Sequence, residues 1–526
     1  MGRNRRRVLG ALGIAALLLG ACTTTENGHG SAVGGAGSSA APGRTSSGST
    51  AQPPTRRATF TDCSDQFNLA ALNLPASVQA RLTFDCATLP VPLDYAQPNG
   101  RTISLQLVRV HDKRDTHPTG SLLVNPGGPG GSGVEIALGL TPKLTSTLLP
   151  HFDVVGFDPR GVGSSTPVSC VSDAQKDRLN AAQPDVRTKA GFAQAKALAA
   201  TVARECESKY GSALAQIDTV QTAKDMDQIR KSVGDAKLNY LGFSYGTELG
   251  AQYAHLFPHN IRVMVLDGAV DPLTSDVTAF ANQLGGFERA FDQFGAWCQK
   301  HTPCKSVGDP REAVYNIAAQ SRANPIPAQG DSRRATSSLV YTGILSALYS
   351  QSQWPTLGQA LLDAQHGNSE GLLTLADQYN ERTNGQYSNL YDANTAISCN
   401  DSRPGPTDAQ IRATAASWTK RFPIFGLWSA ISLFSCQQWQ PQRTVPPLPT
   451  ARDASQTILV IGNLHDPATP YQGAKNLTRT LGKAELLSWD GEGHTSYLQG
   501  SGCVDGYVNS YLIDEKLPPQ NKTCPR

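Results

Sequence analysis

Ser244, Asp466 and His494 are the side chains of this 526-residue chain whose types and settings could together attack an acyl group. A serine hydroxyl is a weak nucleophile until a histidine accepts its proton, and the histidine needs a carboxylate to fix its tautomer. Ser244 stands at the centre of Gly242-Phe-Ser-Tyr-Gly, a G-x-S-x-G pattern. The glycines suit a turn so sharp that a side chain two residues to either side of the serine would strike the flanking strand or helix. Ten histidines are present, and the nearest rival, His465, directly precedes Asp466. Neighbouring side chains at a strand end diverge, so that carboxylate is better placed to orient His494. Of the rival acids, Asp490 reads as a turn residue and Asp267 as a strand-end acceptor of backbone amides.

Each of these residues needs an element to carry it. Leu238-Asn-Tyr-Leu-Gly-Phe, Ser244 and the helix-compatible run after it predict a strand, an elbow and a helix whose N-terminus favours negative charge. Upstream, Ser121-Leu-Leu-Val-Asn is a buried-type strand leading into Pro-Gly-Gly-Pro-Gly-Gly-Ser-Gly, whose bare backbone could aim an N–H at an oxyanion. Such a loop could also cradle phosphate, but the G-K-[ST] ending of a P-loop is missing, and acyl chemistry is the preferred reading. Phe152-Asp-Val-Val-Gly-Phe predicts another strand. Thr457-Ile-Leu-Val-Ile-Gly-Asn-Leu-His runs to Asp466, and Ala484-Glu-Leu-Leu-Ser-Trp ends before Gly493-His494. Serine, aspartate, histidine is the triad order of the α/β-hydrolases and not that of chymotrypsin or subtilisin. The expected fold is therefore α/β: a mostly parallel sheet with helices on both faces.

Between the strand Arg262-Val-Met-Val-Leu-Asp-Gly and the strand carrying Asp466 lies far more chain than one crossover needs. Helical patterns over 279–298, 339–348, 357–364 and 411–422 predict an inserted helical cap. This divides the hydrolase core into 59–272 and 451–526 around a cap at 273–450. Phe280, Phe287, Phe291 and Phe294 recur at helical spacing and read as the packing core of that cap.

Several longer phrases now point one way: Cys86-Ala-Thr-Leu-Pro-Val-Pro-Leu-Asp-Tyr, Asn125-Pro-Gly-Gly-Pro-Gly-Gly-Ser-Gly, Gly156-Phe-Asp-Pro-Arg-Gly-Val-Gly-Ser-Ser, Gly242-Phe-Ser-Tyr-Gly-Thr and Leu266-Asp-Gly. With Cys399-Asn-Asp, Cys436-Gln-Gln-Trp and Gly491-Glu-Gly-His, the chain from about Cys63 onward resembles the secreted bacterial tripeptidyl aminopeptidases. These are relatives of the prolyl iminopeptidases within the α/β-hydrolases. The latter carry His-Gly-Gly-Pro-Gly where this chain has Asn125-Pro126 before the glycines, so proline selectivity is not implied. The resemblance implies a serine exopeptidase acting near a free N-terminus through an acyl-enzyme on Ser244, with Gly128 and Tyr245 at the oxyanion positions. Recognition of a substrate ammonium calls for a carboxylate in a walled cleft, and Glu248, Asp267 and Asp401 are the candidates. Glu248 also reads as a first-turn helix residue and Asp401 as a turn or N-cap residue. A carboxyl-ester or lipid-ester hydrolase would use the same triad, and a noncatalytic envelope lipoprotein is a third reading.

The chain opens with Arg3, Arg5, Arg6 and Arg7 before an apolar run over 8–19, too short to span a bilayer and suited to an export signal at 1–21. Leu19-Gly-Ala-Cys22 resembles a bacterial lipobox, which would make Cys22 a lipidated N-terminus and membrane anchor; an ordinary signal with an incidental cysteine is the alternative. Gly, Ser, Thr, Ala and Pro dominate 22–58, read as a flexible tether. A net charge of +3 with interspersed signs gives no nucleic-acid footprint. Beyond Cys22, ten cysteines remain in an exported chain and favour disulfides over metal ligands. They fall in couples, Cys63 with Cys86, Cys170 with Cys206, Cys298 with Cys304, Cys399 with Cys436 and Cys503 with Cys524. Neighbour pairing closes the smallest loops, although sequence alone admits other connectivities. Neither a metal nor a cofactor is expected, since no C-x-x-C or H-E-x-x-H pattern is present.

Overall fold

The central strands are buried almost throughout, and their successive side chains feed two apolar layers. The computed structural model describes residues 57–115, 118–441 and 444–526. The expected export signal, Cys22 and nearly all of the tether lie outside these residues.

Ten strands form one sheet: β1 (Thr61–Asp62), β2 (Leu82–Pro92), β3 (Thr102–Asp112), β4 (Ser121–Asn125), β5 (Asp153–Phe157), β6 (Leu238–Phe243), β7 (Ile261–Asp267), β8 (Ile458–His465), β9 (Ala484–Glu492) and β10 (Thr523–Cys524). Their spatial order is β1-β2-β3-β5-β4-β6-β7-β8-β9-β10. From β5 through β10 every neighbouring pair is parallel, while β1, β2 and β3 form an antiparallel edge that joins β5. Leu122, Val124, Leu241, Val263, Val265, Leu459 and Ile461 pack in one apolar cluster with α1 (Gly133–Leu144), and Leu123, Tyr240, Met264, Leu266 and Val460 pack in another. Strand side chains point to opposite faces in turn, so these clusters are the two faces of the sheet.

Two helices, α2 (Asp173–Ala181) and α3 (Lys189–Tyr210), precede α4 (Thr219–Val233) and the elbow helix α5 (Tyr245–Leu256). After β7 come α6 (Asp276–Cys298), α7 (Pro310–Ala323), α8 (Ser337–Leu348), α9 (Trp354–Gln365), α10 (Glu370–Asn380), α11 (Leu390–Asp401) and α12 (Asp408–Arg421). The helices begin before the apolar windows of the sequence because polar caps start them. Ser275 accepts the Thr278 N–H, Thr336 accepts that of Leu339, and Thr407 forms a capping box with Gln410. Finally α13 (Gln472–Leu481) and α14 (Gly502–Asp514) flank β9 in sequence.

The inserted helices have their own core, in which Phe287, Phe291 and Phe294 pack with Leu348, Leu361, Leu372, Trp418 and Phe425. Phe280 departs from the expected packing: it is 42% exposed and borders the large cavity described below. The cores do not follow the 273–450 span. Val186, Phe192 and Ala195, from the chain before Ser244, belong to the helical core, whereas Ala393, Ala396 and Ile397 of α11 belong to the sheet core. Tertiary contact, not chain position, sorts these helices. Disulfides join all five neighbouring couples, Cys63–Cys86, Cys170–Cys206, Cys298–Cys304, Cys399–Cys436 and Cys503–Cys524. Among the described residues no helix is long and apolar enough to cross a membrane, and no group of His, Cys, Asp and Glu could hold a metal ion.

Candidate active site

Ser244 sits between β6 and α5 with φ 55° and ψ −126°, a left-handed backbone that costs a non-glycine residue roughly 1–3 kcal/mol. Its neighbours impose this turn. A Cβ on Gly242 would lie 2.4 Å from the Gly246 carbonyl oxygen, so no larger residue fits there. The Ser244 N–H donates to the Asp267 carbonyl at 2.9 Å, anchoring the elbow to the end of β7. From the other side the glycine loop after β4 closes in. A Cβ on Gly127 (φ 96°) would stand 2.5 Å from the Phe243 carbonyl oxygen and 2.9 Å from both the Ser244 Cβ and the Tyr245 nitrogen. Asn125 holds that loop by accepting the Gly127 N–H at 2.9 Å. Asp158 ties it to the turn after β5, accepting from the Ser132 hydroxyl and the Ser164 N–H.

Asp466 follows β8 and is fully buried. Its carboxylate meets His494 Nδ1 with both oxygens at 2.9 Å and also accepts the N–H groups of Ala468, Thr469 and Thr495. The donor set keeps it oriented at the imidazole. Burial acts against a charged His494, but the Asp466 charge and hydrogen bond, with a further contribution from Asp267, raise its pKa above the ordinary histidine value. Gly268 follows Asp267, and a Cβ there would lie 3.3 Å from His494 Cε1, so the base stands beside the same strand end that anchors Ser244.

The rivals separate cleanly. His465 Nε2 lies 3.0 Å from Asp490 Oδ1 at the surface, and Asp490 belongs to β9, not to a turn. Asp267 is fully buried at the end of β7, where Oδ2 accepts the N–H groups of Ser496 and Tyr497 in the loop after His494. Burial pushes its carboxyl up to about 6, against the two amides that favour the ionised form. As an ammonium ligand Asp267 is misplaced, because it is not among the residues that border the cavity.

That cavity has a volume of about 1010 Å³ and lies between the sheet and the inserted helices. Gly128, Phe243, Tyr245 and His494 border it from the sheet, and Leu345, Tyr349, Trp428 and Leu433 from the helices. Glu248, Asp276 and Asp401 bring carboxylates to its wall. Glu248 is in the first turn of α5, open to the cavity but otherwise surrounded by protein; burial and then the Asp276 charge push its carboxyl up to about 7. Asp401 ends α11 and is neither a turn nor an N-cap residue of its own segment; it accepts the N–H and hydroxyl of Thr219 at the start of α4. Burial, then the Glu248 charge, raises its pKa well above the usual carboxylate range. Thr219 in turn hydrogen-bonds the Tyr245 hydroxyl, linking this acidic corner to the residue after the nucleophile.

Sequence reasoning passed over two supports. Thr469 Oγ1 lies 3.3 Å from His494 Nδ1, and buried Asn463 donates through Nδ2 to the Gly493 carbonyl at 2.7 Å. Asn463 left a trace, a polar residue within the apolar run of β8, whereas Thr469 left none.

A strained serine between a central parallel strand and a helix, with an aspartate and a histidine after later strands, defines a serine hydrolase of α/β-hydrolase architecture. Residues 422–524 match the family described as TAP-like protein. The chain is 38% identical over 454 residues to "Serine protease Hip1" of Mycobacterium tuberculosis, covering 84% of this chain and 87% of that one. It is 35% identical to "Carboxylesterase B" of the same species (84% and 86% covered) and 30% identical to "Tripeptidyl aminopeptidase" of Streptomyces lividans (86% and 84% covered). The chain belongs to this tripeptidyl-aminopeptidase-like family of α/β-hydrolases.

Proposed function

We propose that this protein is an exported serine exopeptidase that hydrolyses peptides near a free N-terminus and releases short peptides, with tripeptides the expected product. The reading is carried by one juxtaposition: His494, held from behind by Asp466, borders the same walled cavity that Glu248, Asp276 and Asp401 make acidic. In this reaction His494 takes the proton of Ser244 as its oxygen attacks the scissile carbonyl, and Asp466 stabilises the imidazolium. The Gly128 and Tyr245 N–H groups receive the oxyanion. The imidazolium protonates the leaving amine, and water, deprotonated by the same ring, releases the acyl group from Ser244. Carboxylates that burial makes reluctant to ionise alone gain a counter-charge from a substrate ammonium. Cys22 would anchor the enzyme to the membrane through lipid, its tether holding the catalytic part clear of the surface.

Carboxyl-ester hydrolysis is the second reading, favoured by the apolar cavity lining and by the name of one 35%-identical relative. The two separate in kcat/KM for a tripeptide anilide with a free or an acetylated N-terminus. Losing one partner of a buried charge pair costs about 2–5 kcal/mol, so acetylation should abolish most cleavage. Equal values would reject the exopeptidase reading. Intact-mass analysis of the native protein checks the anchor: an unmodified Cys22 would reject it.

A further inference from the structure

None of the three triad residues comes from the helical side of the cavity, yet that side grips the base directly. Tyr349 follows α8; its carbonyl accepts the His494 N–H at 2.8 Å, and Ser350 pairs with Gly493 in an antiparallel bridge. The two rings meet edge to face, with centroids 5.5 Å apart and planes at 81°. The approach is as close as backbone permits, since a Cβ on Gly493 (φ 106°) would stand 2.9 Å from the Tyr349 carbonyl oxygen. Tyr349 is itself fixed from behind by the rings of Phe287 at 5.2 Å and Tyr379 at 6.0 Å. A second hold lies one residue before Gly493, where Glu492 pairs with Arg289 of α6 at 2.8 Å while Arg289 also donates to the His465 carbonyl. Glu492, Gly493 and His494 are thus held in succession by inserted helices.

We propose that Tyr349 is a positioning residue for His494: the helical insertion, through this ring and carbonyl, sets the imidazole that Asp466 orients from the other side. The inference rests on the triad reading above. Its consequence is a coupling between selectivity and chemistry, because the ring that steadies the base also borders the substrate cavity. A substrate that packs against Tyr349 steadies His494, and one that leaves the helical side empty does not.

The test compares wild type, Tyr349→Phe and Tyr349→Ala in two assays. One is the phosphonylation rate of Ser244 by a small fluorophosphonate that does not fill the cavity; the other is kcat and KM for a free tripeptide anilide. Displacing a catalytic group by about 1 Å can cost about 100-fold in rate, so Tyr349→Ala should lose about 10- to 100-fold in both phosphonylation and kcat. Every variant keeps the main-chain carbonyl; Tyr349→Phe also keeps the ring and should restore both. If Tyr349→Ala phosphonylates like wild type and only KM rises, Tyr349 merely lines the cavity and the proposal falls. Should Tyr349→Ala fail to fold, Tyr349→Leu keeps volume without an aromatic face and carries the same expectation, wild-type phosphonylation again overturning the proposal. Failure of the triad reading looks different: wild type itself would not be labelled at Ser244.

Discussion

The two walls of the cavity are built on different principles. On the sheet side, the triad is held through main-chain groups: the Ser244 N–H donates to the Asp267 carbonyl, three amides donate to Asp466, and two amides after His494 donate to the Asp267 carboxylate. On the helical wall the lining is mostly apolar side chain, and between the two walls the Glu248 and Asp401 carboxyls hold their protons more tightly than usual. Backbone anchoring gives a geometry that side-chain substitution hardly alters, whereas a helical wall changes shape with every residue. The difference assigns most of the reaction geometry to one wall and choice of substrate to the other, with Tyr349 as the link between them.

Substitutions can break this division. The largest effect belongs to the sheet wall: Ser244→Ala should lower kcat by about 10⁶. Its thermal melt should stay unchanged, and near-native turnover would end the assignment. Asp466→Asn should cost about 10⁴ because the imidazole tautomer is lost. Asp490→Asn, at the rival surface pair with His465, should leave turnover as it was. A large loss in the latter would move the acid of the triad.

Smaller effects sharpen the acidic corner between the walls. Glu248→Gln should raise KM for a free tripeptide anilide about tenfold and leave phosphonylation of Ser244 unaltered, since surplus affinity and not chemistry is removed. Acidity should act on the two walls separately. His494 must be neutral to act as a base, and its pKa is raised, so kcat should fall with decreasing pH from a midpoint above the ordinary histidine value. Glu248 must be ionised to pair an ammonium, so KM for the free peptide should drop as pH rises through about 7, with no such change for its acetylated counterpart. A flat KM would remove Glu248 from recognition. The least effect is on stability alone: Cys298→Ser with Cys304→Ser opens a loop of six residues and should cost about 2 kcal/mol in the chain-entropy model, read by denaturant melts.

What could be read in the sequence follows the same division. Ser244 was legible because an elbow is local, spelled by a strand, two glycines and a helix within a dozen residues. Asp466 and His494 were legible because parallel strands place their C-terminal ends along one edge, so chain order stands in for distance. Asp401 was legible as a candidate but its bond to Thr219 was not, since that partner lies on another helix and no local pattern announces it. Phe280 shared the spacing of Phe287 and Phe291 but falls at the start of α6, where the helix has left its core for the cavity. Tyr349 gave no signal at all. A tyrosine at a helix end is ordinary until the loop it touches proves to carry the base.

The insertion between β7 and β8 also orders events in time. A ribosome delivers Ser244 and its elbow early, while Asp466 and His494 arrive just after β8 and β9, once the whole helical segment has been made. Pairing of β8 with β7 must close that long loop, a slow step by the logic of contact order. Until it closes, the incomplete fold carries a nucleophile with no base. Topology alone therefore completes the triad last, when the final strands of the sheet dock.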